Sequence, residues 1–451
     1  MTRAWRSLGD RVRGLPRRHG TRTLVLLGLI AAVGFGLRAH RASDPIGNPG
    51  DDAHAYFSLS KALYVDGSYG GPSFHDASDW SPGAPLLYAG VYYLTGGVRD
   101  GAARMLLALL GAATVLIAYL LGRRLAGTGA GLLAAAGVAV YPSFIHSTGA
   151  LLSEPPAIFT LPAAALAFLW AREQPRPWAW LLPGFLFGLT ALIRPEYLLV
   201  GIAFAVAALI GVGRERGWRP GAGAAALLVT AFLAPIVPWT IHNLIVVDRF
   251  VPISTGGGKA LYVGSYLPAD GDYQRVKALL VERYQGRTLP PGSPQLDAVN
   301  PTPLFNRVAA EHPNLPRDSS LGRIGKHQLF HYLEHQPLDY LAMLARKTGR
   351  MWDQGVAMTG PFGRTAQLLL IALGLCALAA IAVWRRWWQL TAFVIPIVLV
   401  TAIGAISLAS TRRNEVLMSL VIPLAAAALV WGWEHARRRF GEGGAAPAPG
   451  A

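Results

Sequence analysis

The chain has 451 residues, of which 53% are hydrophobic and only 15% are charged, and its mean hydropathy is +0.36. Soluble domains carry about 25% charged residues, so this composition excludes an ordinary soluble domain and a disordered chain. The single cysteine, Cys376, excludes an internal disulfide framework and a CxxC metal site. A polytopic membrane protein is the class that remains.

The net charge of +16 comes from short basic clusters that lie between apolar segments. Seven arginines fall within residues 1–22, and the later clusters are Arg123–Arg124, Arg214–Arg219, Arg385–Arg386 and Arg437–Arg439. Short basic loops beside apolar spans follow the positive-inside rule. We therefore attribute the charge to membrane topology and expect no nucleic-acid partner.

Ten apolar segments have the length, or nearly the length, that crosses a bilayer, which is about 20 residues. They are residues 23–39, 101–122, 127–145, 151–170, 178–193, 196–213, 221–241, 362–384, 389–409 and 415–433. The first follows a basic segment but is not followed by a small-residue cleavage site, so we predict a retained helix and not a signal peptide. The predicted fold is all-α, with about ten transmembrane helices.

The charges also predict the orientation. With the N-terminus in the cytoplasm, the inner segments hold 19 Lys and Arg against five acids, whereas the two long outer loops together mix 16 basic with 17 acidic residues. The predicted division is a cytoplasmic tail (1–22), a seven-span membrane part (23–241) with an outer loop at 40–100, an extracytoplasmic cap (242–360), a three-span part (361–433) and a second cytoplasmic tail (434–451). We expect a multi-pass membrane protein with both termini in the cytoplasm and its chemistry on the outer face.

Helical patterns occur in both outer loops. In the first loop, residues 52–65 predict an amphipathic interfacial helix after a turn at 48–50, and the Tyr-rich segment 82–97 predicts a second surface helix. In the second loop, helical spacing appears near 270–285, 319–335 and 337–353. The outer face therefore carries enough structure to build a site above the membrane.

Carboxylates that could carry chemistry lie in or next to the first outer loop. Asp51 and Asp52 are adjacent at the start of the predicted surface helix, and an N-cap role explains one of them. A carboxylate at this boundary can act as a general base or hold a divalent cation. Glu154, at the outer end of the fourth span, is either a functional acid or an ordinary interfacial carboxylate.

Four basic residues lie on the side where the positive-inside rule disfavours them, namely Arg194, Lys259, Arg412 and Arg413. Arginine is suited to a phosphate because its planar fork donates two parallel hydrogen bonds. The alternative to phosphate binding is a structural role in local ion pairs, for instance Arg194 with Glu196 or Arg413 with Glu415. The segment STGGGK at 254–259 lacks the spacing of a P-loop.

Several of these motifs follow one another in the order found in a known family. They are Asp51-Asp52-Ala-x-x-Tyr56, Ser81-Pro-Gly-Ala-Pro-Leu86, Ser153-Glu154-Pro155, Gly188-Leu-Thr-Ala-Leu-Ile-Arg194-Pro-Glu196, the segment 238–271, and Arg413-Asn-Glu415. The chain resembles the membrane glycosyltransferases of the GT-C superfamily, specifically the bacterial relatives of the protein O-mannosyltransferases and of the lipid A aminoarabinose transferase. It departs from that pattern at His242, where the family usually has Arg, and at Asp52, where it often has Glu.

The resemblance implies transfer of a sugar from a polyprenyl-phosphate donor to a protein, lipid or glycan acceptor, with inversion at the anomeric carbon. It places the donor phosphate among Arg413, Arg412, Arg194 and Lys259, with Arg413 foremost, and makes Tyr56, Glu154 and His242 further substrate-binding candidates. Asp52 and Tyr56 are four residues apart and share a helix face, so we predict Asp52 as the base and Asp51 as its supporting acid. The alternative is that Asp51 is the base. Whether Asp51 and Asp52 bind a divalent metal ion is left open.

Two other functions compete with glycosyl transfer. A transporter or flippase of a polyprenyl-linked sugar would show internal repeats and ionisable residues near the bilayer midplane. No repeat is visible, and the charged residues collect at one face. A non-catalytic lipid-binding protein would need the cations but not Asp52.

Overall fold

The computed structural model describes residues 20–46, 51–70 and 77–441, and gives the backbone alone for residues 51, 77, 440 and 441. Within these ranges the chain is helical, with an isolated β-bridge between Gly355 and Met358. The helices are α1 Thr21–Ser43, α2 Asp51–Val65, α3 Gly83–Thr95, α4 Asp100–Val140, α5 Pro142–His146, α6 Glu154–Glu173, α7 Leu181–Ile193, α8 Leu198–Arg216, α9 Trp218–Val246, α10 Gly257–Ser265, α11 Tyr273–Gln285, α12 Pro294–Asp297, α13 Thr302–Ala309, α14 Arg317–His335, α15 Pro337–Trp352, α16 Gly360–Val383, α17 Trp387–Ile406 and α18 Thr411–Gly441.

Eight helices in the described ranges are long and apolar enough to cross a membrane, namely α1, α4, α6, α8, α9, α16, α17 and α18. The apolar helix α7 is shorter. When α7 is included and α4 alone is counted as two spans, the helices correspond to the ten segments that the sequence predicts. The chain is a multi-pass membrane protein with an all-α polytopic fold, as predicted.

Helix α4 forms two spans because it reverses direction in the middle. A straight helix of its 41 residues would be about 60 Å long. The hydrocarbon core of a bilayer is only about 30 Å thick. The helix breaks at Ala126 and Gly127, where the φ of Gly127 is +84°, a conformation that favours glycine. A Cβ on Gly131 would lie 2.8 Å from the carbonyl oxygen of Tyr119, so the two halves pack side by side.

The membrane core forms around α18, which packs against α4, α6 and α16. Residues from Val416 to Ala427 are almost all fully buried on this helix. The first span, α1, packs along α4, and its buried Arg38 donates hydrogen bonds to the carbonyls of Val138 (2.7 Å) and Ala139 (2.9 Å). These carbonyls lie at the C-terminal end of α4 and have no partner within the helix, so the Arg38 side chain caps that end.

The two helices predicted in the first outer loop are present. The turn predicted at 48–50 lies outside the described residues. Helix α2 buries Ala55, Leu59 and Ala62 on one side, the face expected from their spacing. Helix α3 is not merely a surface helix, because Tyr88 and Tyr92 are fully buried between α2 and the start of α4.

The second outer loop folds into a cap with a hydrophobic core of its own. Tyr262, Val281, Phe305 and Leu321 belong to this core and come from α10, α11, α13 and α14. The three predicted helical patterns correspond to α11, α14 and α15. Helices α10, α12 and α13 were not predicted, because segments of four to nine residues show too little periodicity.

A buried lysine joins the cap to the membrane helices. Lys347 on α15 is fully buried and donates hydrogen bonds to the carbonyls of Gly264 (2.6 Å) and Ser407 (2.7 Å). Gly264 ends α10, and a Cβ there would lie 2.1 Å from the carbonyl oxygen of Ser407, so only glycine allows this approach. The contact fixes the 407–410 connection, which leads directly into Arg412 and Arg413.

Burial, together with the positive charges of Arg413 and Arg350 and partly offset by Asp270, lowers the pKa of Lys347 from 10.5 to about 7. Between these values the unfolded chain binds more protons than the folded protein, so the contribution of Lys347 to stability rises with pH. A neutral amine still has two N–H groups for the two carbonyls. We expect the thermal stability of wild type, relative to that of Lys347→Met, to increase from about pH 7 to about pH 10.

Thermal unfolding of the purified protein at a series of pH values measures this difference. The matched control is Lys326→Met, which changes an exposed lysine on α14 and should give a difference that does not vary with pH. A constant difference for Lys347→Met would show that the buried amine does not lose its proton in the folded protein.

Candidate active site

A small cavity of about 220 Å³ lies at the outer-loop end of the membrane helices. Six residues predicted from the sequence line it together: Asp52, Tyr56, Glu154, Arg194, Arg412 and Arg413. They come from four separate segments, namely α2, the start of α6, the α7–α8 connection and the start of α18. The fold thus brings together residues up to 361 positions apart in the chain.

Glu154 is the centre of this cluster. Its side chain is 1% exposed and faces two guanidinium groups. Arg412 binds it bidentately, with Nε 2.6 Å from Oε1 and Nη2 2.8 Å from Oε2, and Arg194 places Nη1 2.7 Å from Oε1. The carboxylate also lies in the first turn of α6, where the helix dipole favours a negative charge. Glu154 is therefore an ionised acid held by cations, which suits a structural anchor and not a proton acceptor.

Arg412 links this anchor to Asp52. Its Nη1 donates to Oδ2 of Asp52, while its other two nitrogens hold Glu154. Arginines in the first turn of a helix are disfavoured by the dipole, so the two carboxylates compensate for the position of Arg412 at the start of α18. The Asp52 side chain is 40% exposed, and unlike Glu154 it can be reached from outside the cluster.

Tyr56 lies one turn after Asp52 on α2 and lines the same cavity, as the register predicts. Its ring packs edge-on against Trp80, with the centroids 5.5 Å apart. Burial and the neighbouring Asp52 charge raise the pKa of Tyr56. The phenol therefore stays protonated at neutral pH and can donate a hydrogen bond next to Asp52.

Arg413 occupies the same turn of α18 but has a different environment. Its Nη1 donates to Ser407 Oγ at 3.0 Å, and its Nε lies 3.9 Å from Glu196. The Arg413–Glu415 ion pair, which was the structural alternative for Arg413, does not occur among the described residues, because residues two apart on a helix do not face each other. The expected Arg194–Glu196 pair is present at 2.9 Å, since Arg194 is extended before Pro195 and not helical.

A larger cavity of about 860 Å³ adjoins the small one and lies between the first outer loop and the cap. Asp52 and Leu408 line both cavities. Lys259 lines only the larger one, with Nζ 5.8 Å from the ring centroid of Phe305. The larger cavity is also lined by four cap residues that were not predicted, Tyr273, Asn300, Thr302 and Asn306. Polar residues in a loop have no distinguishing sequence pattern.

The glycine-rich segment before Lys259 is not a phosphate loop in the structure either. The first amides of α10, those of Gly258 and Lys259, donate to Oδ1 of Asp318 at 2.7 and 3.2 Å. Asp318 thus occupies the anion position at this helix end.

His242 lines neither cavity and stacks on Trp239, with the ring centroids 4.5 Å apart.

The described residues do not form a metal site. Within them, no group of three or more His, Cys, Asp and Glu side chains has a metal-binding arrangement. The carboxylate of Asp52 pairs with Arg412, and the metal site predicted on Asp51 and Asp52 remains a prediction. The side chain of Asp51 lies outside the described residues.

Residues 79–242 match the family model of dolichyl-phosphate-mannose-protein mannosyltransferases. This segment contains Glu154, Arg194 and His242 but neither Asp52 nor Arg412. A comparison with curated proteins finds no match.

Solved structures of two proteins, AglB and ArnT, are similar to the chain. The oligosaccharyltransferase AglB from Archaeoglobus fulgidus, in complex with an inhibitory peptide and a dolichol-phosphate, is 14% identical, with a TM-score of 0.55 over 96% of this chain and 52% of AglB. AglB with Zn and sulfate is 14% identical, with a TM-score of 0.54 over 92% and 50%. ArnT from Cupriavidus metallidurans, bound to undecaprenyl phosphate, is 13% identical, with a TM-score of 0.43 over 95% and 82%.

This chain therefore spans about half the length of the AglB structures, and at these identities the likeness concerns the fold. The chain has the fold of the AglB structures, and the family-model match over residues 79–242 agrees with the resemblance seen in the sequence.

The geometry predicts that Glu154 is the main electrostatic support of the site. In Glu154→Gln, Arg194 and Arg412 lose their shared carboxylate, and breaking a buried ion pair in this way costs about 3–5 kcal/mol. The matched control is Glu173→Gln at the other end of α6, where the glutamate pairs with Arg124 and is 48% exposed. That exposed pair contributes at most about 1 kcal/mol.

Melting temperatures of the two variants measure this difference, and we expect a much larger decrease for Glu154→Gln. Equal decreases would show that the Glu154 ion pairs do not support the folded site.

Proposed function

We propose that this chain transfers a sugar from a polyprenyl-phosphate donor to an acceptor hydroxyl at the outer face of the membrane. Asp52 takes the proton of the acceptor hydroxyl while the acceptor oxygen attacks the anomeric carbon. The bond between that carbon and the phosphate oxygen breaks, and its electron pair leaves with the polyprenyl phosphate. The single displacement inverts the anomeric centre and needs no covalent enzyme intermediate.

The observation that carries this proposal is the position of Asp52 between the two cavities. On one side lies the small cavity with three arginines, which suits the donor phosphate. On the other side lies the larger cavity below the cap, which is open enough for an acceptor. A carboxylate at this junction can reach an acceptor hydroxyl while the sugar lies between the cavities.

The arginines differ in how many donors they have left for a phosphate. Arg194 and Arg412 use most of theirs on Glu154, Glu196 and Asp52. Arg413 makes a single hydrogen bond among the described residues, to Ser407, out of the five N–H donors of a guanidinium. Its capacity supports Arg413 as the main phosphate ligand, as the sequence predicts.

An apolar groove between α8 and α9 supports the lipid nature of the donor. It has a volume of about 630 Å³ and is lined by residues such as Leu198, Val206 and Phe232. Leu198 begins α8 and follows Glu196 of the small cavity by two residues, so the groove starts next to that cavity. A polyprenyl chain in this groove would place its phosphate at the arginines.

We expect Asp52→Asn to reduce turnover by about 10²–10⁴-fold, the usual contribution of a positioned general base. Donor binding should persist or become tighter, because Asp52 competes with the phosphate for Arg412. Turnover and donor affinity are measured on the same purified protein with a polyprenyl-phosphate sugar.

The matched control is Asp66→Asn, an exposed aspartate just after the end of α2, which should behave as wild type. Asp51→Asn is measured in parallel. If Asp52→Asn turns over within a few-fold of wild type, Asp52 is not the base.

Arg413→Ala should weaken donor binding by about tenfold to a hundredfold, since a hydrogen bond to a charged group contributes about 1.5–3 kcal/mol. Equilibrium binding of a labelled donor measures the effect. The control is Arg346→Ala, which removes an exposed arginine of the cap. Wild-type donor affinity in folded Arg413→Ala protein would assign the residue to structure.

A further inference from the structure

A third polar cavity lies at the opposite ends of the membrane helices from the candidate active site. Its volume is about 520 Å³, within the range of sites that bind small ligands. Helix α6 begins at Glu154 in the active site and ends at Glu173 beside this cavity. About 20 residues of helix, or about 30 Å, separate the two, so the cavity lies at the other membrane face, which the charge distribution predicts to be cytoplasmic.

The lining of this cavity is positively charged. It contains Arg124, Arg172, Arg385 and Arg386 against Glu173 and Glu215, a net charge of +2. Each glutamate is already neutralised by an arginine of a neighbouring helix.

Arg124 binds Glu173 with two hydrogen bonds, of 2.6 and 3.2 Å. Glu215 accepts from Arg172 at 2.9 Å and from the Trp388 indole at 2.7 Å. Arg386 donates to the carbonyl of Leu125 at 3.1 Å. Arg385 is exposed and also lines the cavity, so its charge is the one that an anion can reach from solvent.

The backbone and the aromatic residues favour the same kind of ligand. Helix α17 begins here, with no side-chain cap on its first turn, so its first amides point to an anion position. Arg385 has a φ of +54°, an uncommon conformation for a residue with a side chain. Trp387 is exposed and Trp388 is buried beside it, and tryptophans are typical of the headgroup level of a bilayer.

We propose that this cavity binds the phosphate of an anionic phospholipid headgroup in the leaflet opposite the candidate active site. Basic pockets between membrane helices bind such headgroups through charge and hydrogen bonds. The acyl chains would remain in the bilayer, beside the apolar ends of the same helices. This site does not depend on the proposed glycosyl transfer, because it shares no residue with that site.

The test measures saturable binding to the full-length protein in a neutral detergent, with dihexanoyl-phosphatidylglycerol, dihexanoyl-phosphatidylcholine and inorganic phosphate as separate probes. Wild type should bind the phosphatidylglycerol at least tenfold more tightly than the other two. Arg385→Gln should weaken this binding by about tenfold, and Arg385→Glu by more. Arg385 is exposed and at the end of a helix, so both variants should fold, which their melting temperatures without lipid verify.

The matched control is Arg437→Gln, an exposed arginine near the end of α18 that does not line the cavity. It should bind the phosphatidylglycerol as wild type does. Equal affinities of Arg385→Gln and Arg437→Gln would overturn the site, because the attraction would then be general surface charge. Inorganic phosphate binding as tightly as the lipid would overturn the lipid as its ligand.

Discussion

The end of the membrane helices that carries the candidate active site depends on one buried carboxylate, that of Glu154. A buried charge is costly unless it is paired, and Glu154 is paired with Arg194 from the α7–α8 connection and Arg412 from α18. The three segments must therefore meet at one point. Because Arg412 also binds Asp52, the first outer loop is fixed to the same point, and the catalytic candidate takes its position from the anchor.

The same membrane helices present two different electrostatic surfaces at their two ends. At the outer end, Arg194, Arg412 and Arg413 are balanced by Asp52, Glu154 and Glu196. In the proposed reaction, the donor phosphate would compete with Asp52 for Arg412, which would link donor binding to release of Asp52. At the other end arginines outnumber glutamates, as expected for a face in contact with anionic lipids.

The sequence predicted the parts of this structure that depend on local composition. Apolar length identified the spans, including the two halves of α4, and the register of Asp52 and Tyr56 placed both in one cavity. Contacts between distant segments were not predictable. Nothing local indicates that Lys347 reaches Ser407 or that Glu154 selects Arg412, and the Arg413–Glu415 pair failed because spacing was considered without helix geometry. The short cap helices are stabilised by their shared core and carry little signal of their own.

The most direct measurement reconstitutes the full chain in proteoliposomes with a polyprenyl-phosphate sugar labelled in the sugar, together with membrane extract as a source of acceptors. The account predicts that the label leaves the polyprenyl carrier and appears in a new product whose mass exceeds that of its acceptor by one sugar residue. Label that crosses the bilayer while still attached to the carrier, or that is only bound, would contradict glycosyl transfer and would favour a flippase or a lipid-binding protein.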